Sequence, residues 1–113
     1  MVDSTIENYT YSDLKIIDDD LVRDEFGQPV FIYDRDVVDQ DIRHSIRESG
    51  LLEQLIGERS PNQRKMILSK LRILIESDPR VIPGTSEMDI KDIENFRIIA
   101  DTDFGKIHMG ANV

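Results

Sequence analysis

The stretch Glu76-Ser77-Asp78-Pro79-Arg80-Val81-Ile82-Pro83-Gly84-Thr85 constrains this chain most. An amphipathic helix runs into it and has to stop. Pro79 drives Asp78 out of the helical region, and Pro83-Gly84 adds a second break. One arginine and two β-branched residues lie between the breaks. The expected order is helix, Asp-Pro-Arg corner, then a short apolar strand at Val81-Ile82. Such a corner aims one guanidinium from a fixed backbone, which suits an assembly contact better than chemistry. Arg80 there would grip a carboxylate or carbonyls bidentately, with Glu76, Asp78 and Glu58 as candidate acceptors.

The helix before the corner has a strong start. Ser60 is the expected N-cap, Pro61 the first helical residue, and Gln63 the far side of a capping box. Ile67, Leu71, Leu74 and Ile75 form its buried stripe, with Met66 and Leu68 at the edges. Arg64, Lys65, Lys70 and Arg72 are expected on wet faces. A preceding helix is expected over 37–49, capped by Asp34 or Asp36, with stripe Val38, Ile42, Ile46 and Gly50 closing it. Residues 51–56 add an apolar turn ended by Gly57.

Two β regions flank the helices. The segments 14–18 and 29–33 are expected to pair around loop 24–28, with Gly27 at positive φ. Segments 96–100 and 106–109 are expected to pair around 101–105, after one turn of helix within 89–95. The fold class expected is α+β: an N-terminal β-hairpin, two main helices and C-terminal β-strands in one small domain. That domain spans 12–113, behind a flexible N-terminal arm at 1–11. Its expected core is Ile42, Ile46, Leu55, Ile67, Leu71, Leu74, Ile75, Ile98 and Ile107.

Charge is unevenly spread. Residues 1–41 hold twelve acids and three bases, whereas 42–113 hold eleven of each, so the whole net charge of −9 lies in the first third. Within 42–80, eight bases face five acids. Without a clustered excess of Lys and Arg, nucleic-acid binding is not expected. Acidic turns and caps that keep a small domain soluble are the preferred reading of the asymmetry; a head-to-tail contact between copies, or with a basic partner, is the alternative. The apolar runs are too short to cross a membrane, and no secretory leader is expected at the start. With no cysteine there is neither a disulfide framework nor a thiolate metal site.

Candidate chemistry is sparse. Asp101-Thr102-Asp103-Phe104-Gly105 contains a kinase-like metal triplet without the rest of a kinase, and reads as a hairpin turn. Counted from Asp18, a calcium loop would need Gly at Arg23 and Glu at Pro29, so that motif fails. Asp34, Asp36, Asp39 and Asp41 suit a helix N-terminus better than a cation. His44 and His108 stand apart without metalloprotease spacing. Nothing draws Glu58 and Glu76 together as a glycosidase pair. No cofactor and no metal is expected, and the chain is not expected to be an enzyme.

Three motifs follow in order: Asp41-Ile42-Arg43-His44-Ser45-Ile46-Arg47, then Gly57-Glu58-Arg59, then Asp78-Pro79-Arg80. Together they resemble the baseplate wedge family of contractile phage tails. That family is often labelled lysozyme-like and has relatives among type VI secretion baseplate subunits. This chain looks nearest to a small uncharacterised phage and prophage branch. Asp78 stands where the family carries Glu, which keeps the charge and shortens the reach. The resemblance implies a structural protein of the virion tail, assembled in the host cytoplasm, whose partners are other tail and baseplate proteins or further copies. Gly57, Glu58, Arg59, Asp78, Pro79 and Arg80 would be its interaction or architecture residues. The competing expectations are a small cell-wall hydrolase and an acidic adaptor or immunity-type binding protein.

Overall fold

A computed structural model describes residues 10–92 and 94–110. The fold is α+β, with helices Arg35–Ser49 (α1), Leu51–Gly57 (α2) and Pro61–Glu76 (α3). Four short strands precede them: Ser12–Leu14 (β1), Ile16–Ile17 (β2), Asp20–Leu21 (β3) and Phe31–Tyr33 (β4). Three follow: Glu87–Ile90 (β5), Phe96–Thr102 (β6) and Gly105–Gly110 (β7).

The N-terminal region is a strand pair with a smaller hairpin set into it. β1 and β4 run antiparallel, Asp13 opposite Ile32. β2 and β3 form the inner hairpin, turning at Asp18 (φ 51) and Asp19 (φ 62). Successive positive φ values match a two-residue hairpin turn, and aspartate tolerates them better than most residues. Gly27 takes φ 77 as expected, but its loop is flanked by an isolated bridge between Arg23 and Pro29 in place of a strand pair, and is closed by hydrogen bonds between residues 23 and 28. The arm expected at 1–11 falls outside the described residues except for Thr10 and Tyr11. Both are tied down: their amides donate to Asp34 Oδ1 at 2.8 and 2.9 Å. Asp34 sits at the N-cap of α1, yet its side chain caps nothing there. Its backbone (φ 44, ψ −107) is strained for a non-glycine residue and turns the carboxylate back onto the incoming chain.

β5, β6 and β7 form one antiparallel sheet in that order. The helical turn expected within 89–95 is corrected: 87–90 is strand, because Met88 and Ile90 alternate with Glu87 and Asp89 and pair with β6. Asp92 turns the chain afterwards, accepting from the Glu94 and Asn95 amides. Val81-Ile82 is not a full strand either. Only Val81 bridges to Thr102, because Pro83 ends the pairing after Ile82 donates to the Asp101 carbonyl.

The core lies where the helices meet the sheet. Val38, Ile42 and Ile46 of α1 pack with Leu55, Ile67, Leu71, Ile75, Ile98 and Ile107. Leu74, expected in the core, is only half-buried and packs at its edge.

One buried polar residue joins the two halves. Gln40, 8% exposed on α1, behaves like a piece of strand. Its Oε1 accepts from the Ile16 amide and its Nε2 donates to the Leu14 carbonyl, both at 2.9 Å. Gln40→Leu strands that donor and that acceptor against an apolar chain. The expected loss is about 2–4 kcal/mol from two unsatisfied backbone groups. Hydrogen exchange should show the loss first at Ile16; an unchanged urea midpoint would mean the strands are held some other way.

Candidate functional site

Arg80 sits where four parts of the chain meet. The corner itself is an aspartate turn: Asp78 Oδ1 accepts from the Arg80 amide at 2.9 Å, and the Asp78 carbonyl accepts from Val81 N at 3.0 Å. Ser77 closes α3 by returning its amide to Ile73 and its hydroxyl to Leu74. Pro79 has no N–H to continue the helix, so the chain turns here.

The guanidinium then grips Asp78 bidentately, Nε to Oδ1 at 2.9 Å and Nη2 to Oδ2 at 2.6 Å. Nη2 also reaches Asp41 of α1 at 3.0 Å. Its central carbon Cζ lies over the Tyr11 ring, 5.2 Å from the ring centre, and Tyr11 meets Phe104 edge-on at 5.5 Å. The Arg80 carbonyl accepts from Asp103 N in the β6–β7 turn at 2.9 Å. One residue thus links the N-terminal segment, α1, the corner and the C-terminal sheet. The guanidinium holds the Asp78 carboxyl below the usual carboxylate range, against desolvation. Asp78 and then Asp41 push Arg80 itself further up.

The other expected acceptors are used elsewhere. Glu76 accepts from the Gly84 amide and the Ser86 hydroxyl, stapling 77–86 back onto α3. Those two bonds, the Ser86 hydroxyl foremost, lower its pKa. Glu58 accepts from the Arg59 and Ser60 amides at 3.1 and 3.0 Å. That corrects the capping box: Ser60 caps Gln63 N, but Glu58, not Gln63, takes the Ser60 amide. Gly57 ends α2, Glu58 fixes the α2–α3 turn, and Arg59 faces solvent. Gly57-Glu58-Arg59 and Asp78-Pro79-Arg80 flank opposite ends of α3, about 24 Å apart by helical rise. They form two separate joints.

Arg64 was expected on a wet face and is not there. It donates to the Leu55, Glu58 and Ile90 carbonyls at 2.5, 3.0 and 3.2 Å, pinning the α2–α3 turn to β5. The sequence did hold the signal, since Arg64 lies three residues before Ile67 on the buried stripe.

The acids considered for a cation disperse. Asp34 holds Thr10 and Tyr11, Asp39 pairs with Arg43 at 2.8 Å, and Asp41 belongs to Arg80. Among the described residues no group of three or more His, Cys, Asp or Glu is placed to hold a metal. His44 lines an open groove of about 480 Å³ between α1 and the N-terminal strands. His108 is on β7, where its carbonyl accepts from Arg43. No helix among the described residues is long and apolar enough to cross a membrane.

Residues 12–110 match the family described as a protein of unknown function, DUF2590. The chain belongs to the DUF2590 family. It is 40% identical over 98 residues to an uncharacterized 12.7 kDa protein in the lys 3′ region of Haemophilus phage HP1, strain HP1c1. The match covers 86% of this chain and 88% of the phage protein. These findings support a phage origin for this DUF2590 protein. No solved structure matches it. Both joints lie inside the DUF2590 match.

The lowered acids give the corner a pH dependence. A carboxylate depressed by folding stabilises the native state above its unfolded pKa and stops doing so as pH falls through its folded one. The loss should therefore begin near the ordinary values of 4.5 for Glu76 and 3.8 for Asp78 and complete below them. Melting temperature followed from neutral pH downward should be level first and then fall. Asp78→Asn should start lower and fall less; an equal fall would remove Asp78 from the acid transition.

Proposed function

We propose that this DUF2590 protein is a non-enzymatic structural component of a contractile phage tail baseplate, acting through protein–protein contacts. The observation that carries this reading is the use made of the two motif joints. Arg80 and Glu58 are engaged with their own chain, Arg80 fixing α1 and the corner to the β6–β7 turn and Glu58 fixing the α2–α3 turn, as in a rigid building block. The resemblance to the baseplate wedge family in those same residues supports it, and so does the phage-encoded relative. The partners are other tail proteins, and the location is the virion tail after assembly in the host cytoplasm.

A hydrolase reading has less support. Glu58 and Glu76 stand at opposite ends of α3, far beyond the roughly 5–10 Å of a glycosidase pair. The relative's name places it 3′ of lys in its genome, which assigns no lytic activity to this chain.

The test is deletion of the gene from the phage genome that carries it, with complementation in trans. Filled heads without functional contractile tails are expected, and peptide mass spectrometry should find the chain in tails purified from the parent. Normal plaques and normal tails from the deletion would overturn the reading. Clearing of peptidoglycan by the purified protein, lost in Glu58→Gln, would favour the hydrolase.

A further inference from the structure

Besides Ile17 and Phe31 on the N-terminal strands, two surfaces away from the corner hold large apolar side chains in water. The first is loop 24–28. Asp24 Oδ1 accepts from the Phe26 and Gln28 amides, both at 2.9 Å. Asp24 N donates to the Gln28 carbonyl, Gly27 N to the Asp24 carbonyl, and Arg23 Nη1 to the Gly27 carbonyl. The loop is firmly bonded, yet its tip presents Phe26 at 79% exposure, beside Glu25. A loop already fixed by its own hydrogen bonds has little backbone entropy left to lose on contact.

The second surface is the outer side of α3. Met66, Ser69, Lys70 and Ile73 follow one another at helical spacing, with Met66 54% and Ile73 69% exposed. Lys65 and Arg72 flank them. The acid of α3, Glu76, is turned onto Gly84 and Ser86, so the exposed charges of this helix are cations.

We propose that these surfaces meet between copies of the chain: the Phe26 loop of one copy seats on the Met66–Ile73 side of α3 in the next. Charge selects this pairing. Asp24 and Glu25 belong to the first third, which carries the whole net charge of −9, while α3 lies in the basic stretch 42–80. Pairing α3 with α3 sets cations against cations, and pairing loop with loop sets acids against acids. Only the unlike pairing matches sign and also covers both apolar patches. Because the two surfaces differ, the contact is head-to-tail and propagates into a ring or an open filament. One loop on one helix side makes a small interface, so the association is weak and concentration-dependent. The inference deepens the assembly reading but does not need the baseplate.

The experiment is sedimentation velocity of the full chain at low salt, from micromolar to about 1 mM, the range of weak affinities. The parent should sediment faster as concentration rises, and salt should weaken the effect several-fold. Phe26→Ser and Ile73→Ser should each remain monomeric with unchanged melts. Glu25→Lys should weaken association. Mixing the two serine variants should restore a 1:1 dimer, because each retains the surface the other lacks. A parent that stays monomeric, association that survives both serine variants, or a mixture that forms no dimer would each overturn the proposal. None of these results touches the baseplate reading, which the deletion and the purified tails test separately.

Discussion

Leu71→Ala is expected to lower stability by about 2–5 kcal/mol. Leu71 is 0% exposed at the centre of α3's buried stripe, between Ile67 and Ile75. It faces a core built from α1, α2 and the C-terminal sheet. Removing its branched end loses transfer energy and leaves a cavity that neighbours on three sides cannot fill, because each is fixed in its own element. A chain this small has on the order of 5–15 kcal/mol in all, so the upper end of the range takes a large fraction of it. Urea unfolding at neutral pH gives the number. A loss under about 0.5 kcal/mol, the scale of surface substitutions, would mean that Leu71 does not face the core.

Arg80→Ala is expected to cost about 2–3 kcal/mol, and Arg80→Lys most of that. Arg80 and Asp78 side chains are each 16% exposed, while Asp41 is 42% exposed. Truncation leaves Asp78 half-buried without its cation and frees Tyr11 from the guanidinium. The partial exposure keeps the loss below that of a fully buried pair. Lysine restores charge but not the fork that meets both Asp78 oxygens at once. The Tyr11 contact gives a second readout: fluorescence or exchange at Thr10 and Tyr11 should change before the core melts. If both variants melt and assemble like the parent, the corner is only a loop and the baseplate reading loses its main support.

Pro79, Ser60-Pro61 and Gly50 each set an element boundary by local chemistry, and all three are where the sequence puts them. A missing N–H, a side-chain cap and a left-handed glycine act within a few residues, so they need no tertiary information. The helical stripes are legible for a similar reason: Val38, Ile42 and Ile46, and Ile67, Leu71 and Ile75, recur at the helix's own period. The strand at 87–90 shows the limit. Its alternation spans only four residues, and the Asp and Asn after it read equally as turn or helix start.

The sequence by itself also singled out Asp78-Pro79-Arg80, because two breaks fix the backbone on either side of the arginine. What only the tertiary structure decided was what that arginine and its counterparts touch. Arg80 meets Asp41 across 39 residues, Gln40 meets Ile16 across 24, and Arg64 meets Ile90 across 26. Hydrogen bonds from long polar side chains have no period and no fixed spacing. They form where packing of the apolar stripes happens to bring an unpaired carbonyl, amide or carboxylate within about 3 Å, and only the assembled core sets those positions.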